Sequence, residues 1–125
     1  MPTGPQPSEW LRGVLELCVL RVMADGPTYG YAIAGRLADA GFGDIKGGTL
    51  YPLLARLEKN ELVVVDWRTG DSGPGRKYFT LTDAGRAELE HGLTRWEAFA
   101  ARVGVHLAAG GDAFVHSTHS SRSSA

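Results

Sequence analysis

The sequence predicts a mainly α-helical domain with one small β-hairpin, on the strength of three observations. Apolar residues recur at helical spacing in four separate segments. Two short runs rich in β-branched and aromatic residues, 62–68 and 76–81, flank a glycine-rich segment, which is typical of a hairpin. A length of 125 residues with 43% hydrophobic and 22% charged residues suits one domain that buries its own core.

Composition and charge narrow the class of protein. No run approaches the roughly 18 apolar residues that a membrane span requires, and the N-terminal segment lacks the pattern of a secretory signal. A single cysteine, Cys18, cannot form an internal disulfide or a cysteine-based zinc site. We therefore expect a cytoplasmic protein without a metal or other cofactor. The net charge of −1 excludes a uniform polycation but not a basic face.

The first predicted helix is apolar around most of its circumference. Residues 1–8 form a flexible arm, and the helix spans residues 10–24 with Ser8 as its cap. A helix that is apolar nearly all round must be covered on more than one side, and a short chain offers few covering layers. We therefore expect part of its cover to come from a second copy of the chain.

A glycine-rich turn separates the next two predicted helices. Thr28 caps a second helix over 29–40, and residues 41–48 form the turn. A third helix begins near Thr49. Its leucines form one stripe, at Leu50, Leu53, Leu54 and Leu57. Its opposite side carries Tyr51, Ala55, Arg56 and Lys59.

The fourth predicted helix, residues 83–108, follows the hairpin and carries an apolar seam. Thr82 or Asp83 caps it. Alternating spacings of four and three, as in a coiled coil, relate Leu89, Leu93, Trp96, Ala100, Val103 and Leu107. The seam is shorter than a free coiled coil requires, so we expect it to pack against a partner surface. Residues 109–125 are predicted to form a disordered tail because glycine, serine, alanine and histidine dominate them.

This order of elements is that of a winged helix-turn-helix domain, residues 9–82, followed by a C-terminal dimerisation helix. The third helix has the diameter that fits the major groove, and the hairpin reaches the backbone beside it. The helix-turn-helix and hairpin carry most of the basic residues, namely Arg36, Lys46, Arg56, Lys59, Arg68, Arg76 and Lys77. Four acidic residues, Asp83, Glu88, Glu90 and Glu97, lie on the fourth helix. The positions of the seven basic residues predict a DNA-binding face.

Three motifs also resemble a known family. YGYAI at 29–33, GTLYPLLARLE at 48–58 and GRKYFTLTDAGR at 75–86 resemble the PadR family of bacterial transcriptional regulators. The resemblance implies a homodimeric repressor of the small subclass, in which one C-terminal helix forms the dimer and an effector binds at the interface. It places Thr49, Leu50, Tyr51 and Arg56 on the recognition helix, and Arg76 and Lys77 at the base of the wing. Lys46-Gly47 departs from the family pattern.

Two sets of candidate site residues follow. The predicted DNA contacts are Arg36, Lys46, Thr49, Leu50, Tyr51, Arg56, Lys59, Arg76 and Lys77. The predicted dimer interface is Leu11, Leu15, Cys18, Leu89, Leu93, Trp96, Ala100, Val103 and Leu107. Trp96 would meet its symmetry mate in a homodimer, so the two rings could hold a small, planar, hydrophobic effector between them. Further candidate effector contacts are Trp10, Val14 and Phe99.

Simpler interpretations stay open for several of these residues. Tyr51 could be a core aromatic, Thr49 a helix cap, and Trp96 a core residue. The basic residues of the third helix could form a solvated face, and those of the hairpin could keep it soluble. The histidines at 116 and 119 are interpreted as incidental tail residues rather than metal ligands.

We predict a homodimeric transcriptional regulator, in particular a repressor, that binds double-stranded DNA at a pseudo-palindromic operator and is released by an effector. Two alternatives remain: a winged-helix module that binds another protein, and a small-molecule-binding protein without regulated DNA binding. The glycine-rich tip is not a phosphate loop, since it lacks a Gly-Lys-Ser/Thr ending and a strand follows it. The sequence contains no recognisable catalytic motif, so we expect no enzymatic activity.

Overall fold

The computed structural model describes Leu11, residues 13–69 and residues 75–115, with side chains through residue 109. Its helices are α1 (Leu15–Met23), α2 (Gly30–Leu37), α3 (Gly47–Lys59) and α4 (Asp83–Val115), and a π-helical turn, Ala38–Phe42, follows α2. Its strands are β1 (Thr28–Tyr29), β2 (Val63–Arg68) and β3 (Arg76–Leu81). The predicted mainly helical fold with a hairpin is confirmed. Among the described residues, none of the helices has the combination of length and hydrophobicity that a membrane-spanning segment needs.

The sheet has three antiparallel strands in the order β1-β3-β2, one more than the sequence analysis predicts. In the hairpin, Val63 pairs with Leu81 and Arg68 with Arg76. Thr28 pairs with Phe79 and is therefore a strand residue, so its predicted role as a cap is wrong. The physical reason is that a β-branched residue followed by tyrosine suits an extended edge, and β3 offers unpaired backbone groups there.

The core lies between the first three helices and the inner face of the sheet. Its fully buried side chains are Val19, Leu20, Met23, Ile33, Leu37, Leu50, Leu54 and Leu57. The predicted leucine stripe of α3 is confirmed, because Leu53 is buried as well. Four buried leucines hold α3 in one rotational setting, which fixes the residues that face outward.

The start of the first helix and its cover differ from the prediction. Leu11 is helical, but Gly13 and Val14 form a turn and α1 begins at Leu15, so the helix predicted over residues 10–24 is interrupted, consistent with the poor helix propensity of glycine. Leu11 and Leu15 are buried in the core of the single chain, so their predicted place at a dimer interface is wrong. Part of the cover comes from α4 of the same chain: a Cβ at Gly92 would lie 2.6 Å from Cδ1 of Leu17.

The boundaries of α3 and α4 show which residues cap them. α3 begins at Gly47, with Lys46 as its N-cap, so Thr49 is not the cap. The predicted cap of α4 is confirmed: the Gly85 N–H donates to Thr82 Oγ1 at 3.0 Å, and that hydroxyl donates to the Glu61 carbonyl at 2.8 Å. α4 continues to Val115, beyond the predicted end at residue 108.

The chain divides into two compact units, residues 1–92 and 93–125. The described part of the first unit contains the core, the sheet and every helix through the start of α4. The described part of the second unit is the remainder of α4. The arm predicted at 1–8, the candidate Trp10 and the histidines at 116 and 119 lie outside the described residues.

Candidate nucleic-acid interface

The outward side of α3 is lined by small residues and ends in a lysine. An α-helix turns about 100° per residue, so the positions opposite the four leucines are Gly48, Pro52, Ala55 and Lys59. All four are exposed. A Cβ at Gly48 would meet no atom within 4 Å, so the fold itself does not require glycine there. A ligand can therefore approach the first turn of α3 closely.

Tyr51 and Arg56 lie on opposite flanks of this outward line. Tyr51 is 55% exposed, so its interpretation as a core aromatic is wrong. Two glycines leave room for its ring: a Cβ at Gly30 would lie 2.7 Å from Tyr51 Cε1, and one at Gly47 would lie 3.3 Å from Cδ2 and Cε2. The ring therefore lies close to glycine backbone near two of its edges, while more than half of the side chain stays exposed.

A groove of about 440 Å³ separates α3 from the sheet. Tyr31 and Trp67, 81% and 69% exposed, are its most accessible aromatic side chains. Its remaining lining residues are Tyr29, Gly30, Tyr51, Leu54, Ala55, Arg76, Lys77 and Phe79. The groove therefore combines aromatic walls with two cations, beside the helix that the sequence analysis predicts to contact DNA.

The hairpin of β2 and β3, called the wing below, carries two stacked arginines. Arg68 and Arg76 are directly paired across the strands, which places like charges side by side. The Arg68 guanidinium carbon lies 4.4 Å from the centre of the Tyr78 ring, and that of Arg76 lies 4.5 Å from the centre of the Tyr29 ring. These cation–π contacts offset part of the repulsion. Arg68 Nε also lies 3.4 Å from Oδ2 of Asp66, which neutralises part of its charge.

Several of the predicted cations are paired with carboxylates. The pairs are Arg36–Asp25 at 2.5 Å, Lys46–Asp44 at 2.9 Å, Arg56–Glu16 at 3.5 Å and Lys77–Glu58 at 3.2 Å. Hydrogen bonds from Arg36 and then Arg21 lower the pKa of Asp25 below its usual value. The face is therefore less positive than its cations alone imply.

The structure brings most of the predicted DNA contacts together. Lys46 precedes α3 directly, α3 itself carries Thr49, Tyr51, Arg56 and Lys59 on its exposed sides, and Arg76 and Lys77 line the groove beside it. Arg36 lies on α2. Leu50 is only 2% exposed, so its prediction as a DNA contact is wrong: it belongs to the leucine stripe that anchors α3.

Sequence reasoning missed the aromatic and acidic members of this site. Tyr31 and Trp67 line the groove, while Glu16 and Glu58 pair with predicted DNA-contacting cations. Pairing the two hairpin runs residue by residue would have placed Trp67 beside Lys77, since they are cross-strand partners. No comparable local signal connects Glu16 to Arg56, which lie 40 residues apart.

The residues predicted to form a dimer and to bind an effector fall into two groups. Val14, Cys18 and Leu89 are partly buried against the core of the first unit, and burial raises the pKa of the Cys18 thiol. In the second unit, large apolar side chains are exposed, at Leu93, Trp96, Phe99, Val103 and Leu107. Trp96 is 42% exposed in the single chain, so the fold of one copy does not bury it.

Comparison with known proteins identifies the family. The model of the transcriptional regulator PadR-like family matches residues 19–91, more than half of the chain. The protein belongs to the PadR-like family of transcriptional regulators. The match runs from α1 through the first part of α4 and includes α3, the groove and the wing.

Relatives of this PadR-like protein include a curated regulator and solved structures. Transcriptional regulator Rv3488 of Mycobacterium tuberculosis is 35% identical, over 76% of this chain and 87% of its own. A PadR family regulator from Eggerthella lenta is 39% identical with a TM-score of 0.73, over 79% of this chain and 86% of its own. Bacillus subtilis PadR in complex with operator DNA is 27% identical with a TM-score of 0.59, over 64% of this chain and 46% of its own.

Proposed function

We propose that this PadR-like protein is a homodimeric repressor that binds operator DNA through α3 and the wing. One observation carries the proposal: four buried leucines fix α3 so that its small residues face outward, between Arg56 on one flank and the basic, aromatic groove on the other. The solved complex of Bacillus subtilis PadR with operator DNA supports a duplex as the partner. In this arrangement α3 enters the major groove and the wing contacts the adjacent backbone.

The side chains around α3 suit different parts of a duplex. Arg56, Lys59 and Lys77 carry positive charge that attracts phosphates, and such contacts set the position of the protein without reading sequence. Thr49 lies in the first turn of α3, where a short side chain reaches base edges. The Tyr51 hydroxyl, at the edge of the groove, can donate a hydrogen bond to a phosphate.

A duplex carrying the promoter of the protein's own gene tests this function against a random duplex of equal length. Tighter binding to the promoter, with affinity falling steeply between about 50 and 200 mM salt, is the expected result. An equal affinity for both duplexes would contradict sequence-specific binding. Binding to neither would favour the alternative of a protein-interaction module.

Gly48→Ala is expected to weaken operator binding about tenfold without destabilising the protein. A Cβ at this position meets open space in the free protein, and alanine favours a helix by up to about 1 kcal/mol over glycine. A duplex lying against the first turn of α3 would meet the added methyl group. Operator affinity and the midpoint of thermal unfolding check the two halves of this prediction.

Gly35→Ala is the matched control for this substitution. Gly35 also lies in a helix, α2, with no atom within 4 Å of an added Cβ. We expect it to leave operator affinity unchanged. Unaltered binding by Gly48→Ala as well would show that DNA does not approach this turn of α3.

The second unit supports the homodimer part of the proposal. Three large apolar side chains of the predicted seam, Leu93, Trp96 and Val103, are exposed in a single copy. A second α4 with the same spacing would bury this seam through an isologous contact. We further propose that a small planar effector binds between the two Trp96 rings. Such a ligand would shift DNA affinity by its preference for one dimer shape, typically about 1–3 kcal/mol.

Val103→Glu is expected to weaken the dimer by roughly 2–4 kcal/mol, because symmetry buries the new carboxylate twice. Val105→Glu makes the same change on the same helix but off the seam, at a side chain that is 72% exposed, and should leave the dimer intact. Sedimentation equilibrium measures the dimer dissociation constants of the two variants. If the two substitutions changed the dimer dissociation constant equally, the seam would not be the dimer interface, and the proposed effector site would be wrong as well.

A further inference from the structure

We propose that Glu16 and Glu58 restrain the affinity of this protein for DNA by occupying two cations of the interface, Arg56 and Lys77. The inference rests on the proposed function, because it concerns the same α3 and wing. It gives a role to two acidic residues that lie in a DNA-binding face, where their negative charge repels the phosphates of a duplex.

The two ion pairs bracket α3 from opposite sides. Arg56 Nη2 lies 3.5 Å from Oε1 of Glu16, which belongs to α1. Lys77 Nζ, on the wing, lies 3.2 Å from Oε1 of Glu58, which belongs to α3 itself. Arg56 and Glu58 are two residues apart and so lie about 160° apart around the helix axis. Each flank of α3 therefore carries one cation that already has an anionic partner.

The fold does not depend on these carboxylates. The four side chains are between 38% and 54% exposed, and ion pairs in that setting contribute little to stability. Their effect on a polyanionic ligand is larger. A phosphate that contacts Arg56 must displace Glu16 or accept its negative charge nearby, and the same holds for Lys77 and Glu58.

The consequence is a smaller contribution from the phosphate backbone. Each cation that neutralises a phosphate releases counterions and adds about 0.9 to the slope of log affinity against log salt. A cation that is already paired with a carboxylate adds less to this slope. When it binds a phosphate instead, the released carboxylate takes up counterions from solution. Phosphates are the same in every duplex, so this restraint limits binding to DNA of any sequence and leaves the base contacts to select the operator.

The test replaces both acids in the full-length protein by isosteric amides. Glu16→Gln together with Glu58→Gln should raise affinity for a random duplex about tenfold at low salt and steepen the salt slope by up to about two units. Asp83→Asn with Glu97→Gln, two exposed acids of α4, is the control with the same change in net charge. The control should show a much smaller gain. Glu16 and Asp83 each lie in the first turn of a helix, so both doubles should lose a similar, small stability of up to about 1 kcal/mol.

A double-mutant cycle separates masking from a general charge effect. If Glu58 acts through Lys77, the gain from Glu58→Gln disappears when Lys77→Met is also present. A gain that persists in that background, or an equal gain in the α4 control, would overturn the proposal. If the amide double bound the operator with the affinity and salt slope of the native protein, the masking proposal would also be overturned. The proposed function would stand in that case. Failure of the native protein and the amide double to bind any duplex would overturn the proposed function itself.

Discussion

Replacing Arg56 and Lys77 together by alanine is expected to weaken operator binding about 100-fold, or tenfold for each lost phosphate contact. The cations flank α3 on opposite sides, so their loss removes charge from both edges of the interface. The substitution also leaves Glu16 and Glu58 without cationic partners, which adds repulsion. The salt slope should fall in magnitude, and titration of a labelled operator duplex at several salt concentrations measures both quantities.

The control for this double lowers the net charge equally but elsewhere. Arg86 and Arg102 are exposed on α4, outside the helix-turn-helix and the wing, and their joint replacement by alanine should change operator affinity much less. Sedimentation shows whether both variants keep the oligomeric state of the native protein. An Arg56 and Lys77 double that binds as the native protein does would place the DNA on another face.

Gly85→Ala is expected to lower the free energy of unfolding by about 3 kcal/mol. A Cβ at Gly85 would lie 2.1 Å from the backbone carbonyl oxygen of Leu62 and 2.9 Å from Cδ2 of Leu81. The carbonyl belongs to the segment that joins α3 to the wing, so the clash cannot be relieved by turning a side chain. Denaturant unfolding gives the free energy directly.

Gly35→Ala serves again as the matched substitution. It adds the same methyl group to a helix where nothing lies within 4 Å, and alanine should stabilise that helix by up to about 1 kcal/mol. The two variants should therefore change stability in opposite directions. If Gly85→Ala were as stable as the native protein, α4 would not pack as closely against the Leu62 carbonyl as the structure shows.

Local patterns in the sequence were sufficient to predict the elements that position the site. The leucine stripe of α3 and the glycine-rich segment between two β-rich runs are short-range signals, and both predictions are confirmed. The cap of α4 was predictable for the same reason, since Thr82 bonds to the N–H of Gly85 three residues later. Interactions between residues a few positions apart depend on local spacing, which can be read from the sequence alone.

Contacts between distant segments could not be predicted in this way. β1 forms because Thr28 finds a partner in Phe79, far along the chain. Leu11 and Leu15 join the core because α1 packs into it, although their apolar character alone equally suits a dimer interface. Leu50 belongs both to the family motif, which suggested a DNA contact, and to the leucine stripe, which suggested burial. Its burial in the core shows that it packs against the fold.

The proposal that two copies of α3 bind successive major grooves can be tested by hydroxyl-radical footprinting of the protein on the promoter of its own gene. We expect two protected patches on one face of the duplex, about 34 Å apart from centre to centre. The Arg56 and Lys77 double should lose both patches at the same protein concentration. A single patch, or uniform protection of any sequence, would show that two copies of α3 do not bind successive major grooves.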